Sequence, residues 1–157
     1  SDLLAAAMGQ RYRPTNGLGL DALSGHYLGF LLYAYNETNG RFRNFMTYAR
    51  VWVEETGSED SHGRALWCLG KAVAFLENSD HLAMSTILFK KALIATEHFR
   101  SPRAVAFCLV GLDGYLEKFS GDSDAKRIRD VLAERLFTQF CENKTDDWPW
   151  IDRKSGG

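Results

Sequence analysis

The chain has 157 residues, 45% hydrophobic and 25% charged, enough to build one compact domain with a real core. Its formal net charge of −1 argues against an electrostatic footprint for nucleic acid. No apolar run approaches the roughly 20 residues of a bilayer span and no secretory signal opens the sequence, so no membrane partner is expected, and a cytoplasmic location is.

In chain order, Leu3 to Met8 reads as the end of a helix that begins upstream. Arg13 to Gly19, with Pro14, reads as a break. Leu20 to Tyr35 is rich in Leu, Tyr and Phe and predicts a helix, ended by Asn36 to Gly40. Phe45 to Glu55 is expected as a shorter helix. Ser58 or Glu59 starts the next, which runs to about Asn78, and Ser79 caps one that reaches His98. Ser101-Pro102 is an N-cap followed by Pro at the first helical position, and that helix reaches Phe119. Gly121 to Ser123 is a turn, and Asp124 to Glu142 is a final long helix. Strand signals are poor: there is no sustained period-2 alternation and no hairpin dipeptide between apolar runs. The expected fold class is all-α.

The helices differ in kind. Arg64 to Ala74 and Arg103 to Leu116 carry few charges and several small residues, among them Gly70, Gly111 and Gly114. Glycine weakens a helix, so its presence there points to close helix packing. Asp124 to Glu142 instead shows one apolar stripe, through Ile128, Val131, Leu132, Leu136, Phe137 and Phe140. Gly63-Arg64-Ala65-Leu66 and Pro102-Arg103-Ala104-Val105 also look alike, about forty residues apart, a weak internal repeat of a helical hairpin. Buried helices alternating with half-exposed ones suggest an inner and an outer ring of antiparallel hairpins. Cys68, Cys108 and Cys141 sit in apolar helical patterns and read as buried small hydrophobes in a reducing compartment. None has a second cysteine at metal-ligand spacing, and no metal or cofactor is expected.

The densest chemistry lies in Asn39-Gly40-Arg41-Phe42-Arg43-Asn44-Phe45-Met46 and Gly57-Ser58-Glu59-Asp60-Ser61-His62-Gly63-Arg64-Ala65-Leu66-Trp67. Arginines, amides and carboxylates beside tryptophan suit a sugar: bidentate polar groups take hydroxyl edges and a flat ring takes the CH face. These runs, with Phe99-Arg100-Ser101-Pro102-Arg103-Ala104 and Asp146-Asp147-Trp148-Pro149-Trp150, resemble the α/α-toroid region of bacterial glycosyltransferase-like proteins. That region is similar to six-hairpin glycosidases and sugar epimerases and is often joined to a nucleotide-sugar glycosyltransferase domain. The resemblance covers most of residues 19–151 and implies a partial toroid, a saccharide ligand and a glycosyltransferase domain as partner. Three departures stand out. The family's Met-x-Tyr step is usually followed by Asp-Arg, whereas Tyr48 is followed by Ala49 and Arg50. The family continues past Trp-Pro-Trp with an acidic, aromatic segment and further helices. It also carries an Asp-Asp-Asn-Ala-Arg-like motif upstream.

The candidate substrate-binding residues are Arg41, Arg43, Asn44, Glu59, Asp60, His62, Arg64, Arg103, Asp146, Asp147, Trp148 and Trp150. Glu59 and Asp60 are weak candidates for acid/base chemistry. Equally, they are helix N-terminal acids favoured by the macrodipole. Adjacent helical residues point about 100° apart, so the pair cannot easily flank one bond. His62 is either a proton donor or hydroxyl ligand, or a structural hydrogen-bond partner. Arg64 and Arg103 are expected to pair with Glu59, Asp60 or the acids at 146–147. Trp148 and Trp150 either stack on a sugar or cover a helix edge. Two functions follow. One is a carbohydrate-related helical domain that binds without turnover. The other is a non-enzymatic helical scaffold for protein association or self-association, with a homo-oligomer formed through the flank of helix 20–35 or Trp148–Ile151. The two separate on where the polar motif goes: to one open rim for the sugar site, into internal ion pairs for the scaffold. A phosphate-handling enzyme is disfavoured, because no glycine-rich phosphate loop is present.

Overall fold

The computed structural model describes residues 19–146. The expected Leu3–Met8 helix and residues 147–157, with Asp147, Trp148 and Trp150, lie outside them. The described chain is mostly helical, as the apolar periodicity predicts. In order it forms α1 (Leu20–Ala34), β1 (Tyr35–Asn36), β2 (Arg41–Phe42), α2 (Glu59–Phe75), α3 (Ser79–Leu93), a 3₁₀ turn (Ile94–His98), α4 (Pro102–Lys118) and α5 (Ser123–Asn143). No described helix is long and apolar enough to cross a membrane.

Helix starts follow the caps in the sequence. The Ser58 side chain accepts from Ser61 N–H, Ser101 from Ala104 N–H and Asp122 from Ala125 N–H. At α3 the cap is Asn78, one residue before the serine expected, and it takes both Asp80 and His81 N–H.

Two local expectations are corrected. Residues 45–55 form no helix; they make a loop closed by an isolated antiparallel bridge between Met46 and Trp52. The side chain of Glu54 takes the backbone N–H groups of Asn44 and Phe45 at 2.6 and 2.8 Å, competing with any helical pattern there. A small hairpin is also present, with Tyr35 opposite Phe42 and Asn36 opposite Arg41. Its signal was Asn39-Gly40, since Gly40 adopts φ +70°, a conformation glycine takes at no steric cost.

The core is built around the pair α2 and α4. A Cβ placed on Gly63 would lie 2.7 Å from Ala104 O, one on Gly114 2.8 Å from Gly70 O, and one on Gly70 would enter the carbonyl of Gly111. The contacts advance together along both helices, so α2 and α4 run side by side in the same direction with backbone against backbone. Behind them Leu66, Leu69, Val105 and Leu112 meet Leu88 and Phe89 of α3 and Ile128 and Leu132 of α5 in one buried cluster. Phe89 stacks on Tyr115, ring centroids 4.6 Å apart. Buried residues are frequent in α2 and α4 and reduced to Ala125, Ile128 and Leu132 in α5, the burial order expected from composition. Cys68 and Cys108 are buried, and burial pushes the Cys108 thiol up to about 12. Cys141 departs from expectation: it is exposed on α5, whose buried stripe is narrow.

Candidate functional site

Most of the polar motif is used to fold the segment between α1 and α2. Asn36 donates to the backbone oxygen of Glu55 at 3.0 Å and to its carboxylate at 2.7 Å. Asn39 donates to Glu55 O and to Thr56 Oγ1. Arg41 donates to Gly57 O at 2.8 Å and lies over the Phe99 ring at 4.6 Å. Arg43 pairs with Glu55 at 2.8 Å and lies 5.9 Å from the Trp52 ring. Asn44 is exposed. Two amides and an arginine thus take the backbone oxygens of Glu55 and Gly57, just ahead of α2.

At the start of α2 three neighbouring residues take three different roles. Glu59 accepts the backbone N–H groups of Arg100 and Ser101 at 2.9 and 2.7 Å, tying α2 to the entry of α4. Asp60 is clamped by Arg103 at 2.6 Å and by Arg64 at 3.0 Å. The two arginines side by side at matched helix starts therefore share one carboxylate. His62 does not face the rim: it is fully buried between Phe42 and Phe99. Its Nδ1 accepts from Phe42 N–H at 3.3 Å and its Nε2 bonds Ala92 O at 2.9 Å, which fixes the Nε2–H tautomer. Burial lowers its pKa to about 4; the bond to Ala92 opposes the shift and nearby Arg41 adds to it.

Glu59→Ala is expected to destabilise the chain by about 1–2 kcal/mol, since it leaves two backbone donors without their charged acceptor. Urea unfolding measures this. An unchanged midpoint would show that Glu59 is not needed to join the two helices.

What stays accessible is the outward face of α2 and α4. Asp60, Arg64, Trp67 and Lys71 form one stripe of α2; Arg103, Phe107, Val110 and Asp113 form one of α4. Trp67 and Phe107 stack almost parallel at its centre, 8° apart with centroids 5.4 Å apart. Arg64 lies 5.3 Å from the Phe107 ring, while its side chain and that of Arg103 remain 57% and 58% exposed. Lys71 and Asp113 close the far end at 3.3 Å. Trp67 closes the polar run singled out in the sequence, whereas Phe107 is a site candidate that the sequence reading missed. Their signal is the four-residue spacing Arg-x-x-x-Phe in α4 beside Arg-x-x-Trp in α2.

The structure therefore brings Asp60, Arg64 and Arg103 together and separates them from His62, which is in the core, and from Arg43, which faces Trp52. Asp146 is exposed beyond α5 and pairs with none of these arginines. No group of three or more His, Cys, Asp or Glu among the described residues is arranged to hold a metal ion. No family model, curated protein or solved structure matches the chain.

Proposed function

We propose that the chain is a carbohydrate-related module of helical hairpins, arranged as a partial α/α toroid, that binds a saccharide without turning it over. The observation that carries this reading is the open face of α2 and α4, with stacked Trp67 and Phe107 beside Asp60, Arg64 and Arg103. An indole ring offers an apolar plane to the CH face of a sugar, and exposed guanidinium groups offer paired donors to its hydroxyls. The same-direction run of α2 and α4 supports a toroid, where equivalent helices open at one rim. Turnover is not part of the proposal. Glycosidic chemistry needs two carboxyl groups at a defined separation, and here Glu59 is committed to backbone N–H groups and Asp60 to two arginines. In a longer protein, a glycosyltransferase domain is the partner implied by the resemblance.

The test is NMR titration of the chain with a panel of neutral mono- and oligosaccharides, with product assays alongside. Shifts of the Trp67 indole with a Kd at the millimolar level, lost in Trp67→Ala, are expected. No shift at Trp67 with any sugar would remove the reading. Turnover abolished by Glu59→Gln or Asp60→Asn would replace it with an enzyme.

A second reading, a helical scaffold for protein association, is favoured by a different observation. The 36–57 polar motif is consumed internally, while α1 leaves Leu23, Phe30, Leu32 and Tyr33 about half exposed.

A further inference from the structure

Arg64 and Arg103 hold Asp60 through their Nε atoms alone. Arg64 Nε meets Oδ2 at 3.0 Å, and Arg103 Nε donates to Oδ1 at 2.6 Å. An arginine that serves only to neutralise a carboxylate lays its fork across both oxygens. Here each oxygen is taken by one Nε, and the terminal nitrogens of both arginines bond no described residue. Both side chains are more than half exposed. Two guanidinium edges are thus presented side by side near the starts of α2 and α4.

Charge there is unbalanced. Asp60 is one carboxylate between two guanidiniums, so the trio carries a positive charge in excess. Glu59 does not cancel it: its carboxylate is spent on Arg100 and Ser101 N–H, and the charge set against it is that of Arg41. Asp146 pairs with neither arginine. An apolar plane begins where this charge stops. Arg64 lies 5.3 Å from the Phe107 ring, which stacks on Trp67, and Val110 lies partly exposed further along α4. Lys71 and Asp113 close the other end. From Arg64 to Lys71 the helix rises about 10 Å, a length that one or two sugar rings fill. A stable protein interface buries roughly 800 Å² on each partner, whereas ion pairs bound this plane at both ends.

We propose that this face takes an acidic saccharide, a uronate whose ring lies against Trp67 and Phe107 and whose carboxylate enters the forks of Arg64 and Arg103. The proposal rests on the saccharide reading and names the class of sugar. A carboxylate brings the negative charge that the trio lacks, and its lone pairs suit two forks. A neutral sugar leaves the excess charge unanswered. A phosphate monoester carries nearly two charges and sets the surplus beside Asp60.

Matched methyl glycosides test it: glucoside with glucuronide, galactoside with galacturonide, mannoside with mannuronide, each pair differing only at the last carbon. They are titrated into the chain while the Trp67 indole is followed by NMR. One uronide is expected to bind at least about tenfold more tightly than its neutral partner, and the advantage to shrink between about 0.02 M and about 0.5 M salt. Arg103→Gln is expected to abolish the advantage. Asp60→Asn is expected to enlarge it, because the forks lose their competing carboxylate, and misfolding cannot produce a gain of binding. Measurable but equal binding within every pair, or an advantage that survives Arg103→Gln, overturns the proposal and leaves the saccharide reading standing. Glucose 6-phosphate bound more tightly than every uronide overturns the carboxylate and leaves that reading standing too. Acetate that shifts the indole as strongly as the uronides at equal concentration overturns both. A dimer by light scattering that Trp67→Ala dissolves, or an indole that moves in Asp147→Asn with no sugar present, puts the chain itself on this face and overturns both. An indole unmoved by any neutral or acidic sugar also removes both.

Discussion

Gly70→Ala is expected to destabilise the chain by more than about 3 kcal/mol, the opposite sign to the usual result in a helix interior, where alanine is favoured over glycine by about 1 kcal/mol. The added methyl would enter the carbonyl of Gly111. Neither helix can yield locally. Across the same crossing a Cβ on Gly111 would lie 2.5 Å from Leu66 O, and one on Gly114 would lie 2.8 Å from Gly70 O. The atoms in the way are backbone, which no rotamer change removes. To admit the methyl, α2 and α4 must separate along their length, uncovering Leu66, Leu69, Val105 and Leu112. Gly29→Ala is the internal control: with nothing among the described residues within 4 Å of its Cβ, it is expected to stabilise by about 0.5–1 kcal/mol. Urea midpoints of the two variants decide the matter. Equal shifts would mean that α2 and α4 do not meet at their glycines.

The same glycines show how much the sequence disclosed. Gly70, Gly111 and Gly114 stand in helices of few charges, and composition alone marks them as close-packing sites. The N-caps Ser58 and Ser101 and the proline at the start of α4 were equally legible, because a cap is a local hydrogen bond between near neighbours. The segment from Asn36 to Gly57 was not. Its structure depends on Glu55 meeting Asn36 and on Asn39 meeting Thr56, sixteen or more residues apart. Spacing in the sequence carries no trace of such pairings. A density of arginine, amide and carboxylate reads as a ligand site whether those groups face a ligand or one another. The Asp60 pairings with Arg64 and Arg103 lie between, since Arg64 is one helical turn away while Arg103 meets Asp60 only through the packing of α2 on α4. The pairing of Trp67 with Phe107 was not legible, because stacking across two helices requires their register, which the glycine contacts supply.

Stability is expected to rise with pH between about 4 and 6.5 on account of His62, whose pKa falls from 6.5 to about 4 in the folded chain. The sign follows from proton counts. In that window the unfolded chain holds a proton on His62 and the folded chain does not, so acid favours unfolding. The contribution is complete above the unfolded value and disappears as pH falls towards the folded one. A shift of this size corresponds to roughly 3 kcal/mol. The cause is positional. Both ring nitrogens are engaged by Phe42 N–H and Ala92 O, and protonating Nδ1 would set a donor against the Phe42 donor in a site closed by Phe99. His62→Asn separates this term from the carboxylates that titrate nearby in pH. Its amide oxygen can replace Nδ1 as the acceptor from Phe42, but it carries no imidazole to protonate. The variant is expected to be less stable at pH 7 by about 2–4 kcal/mol, from the lost bond to Ala92 and the space left by the ring. Its stability should also change less than that of the unmodified chain between pH 6.5 and pH 4. Chemical denaturation at several pH values, with the His62 ring protons followed by NMR, measures both. A ring that titrates near its ordinary value, or parallel pH profiles for the two proteins, would place His62 in contact with water and return it to the list of groups able to meet a ligand.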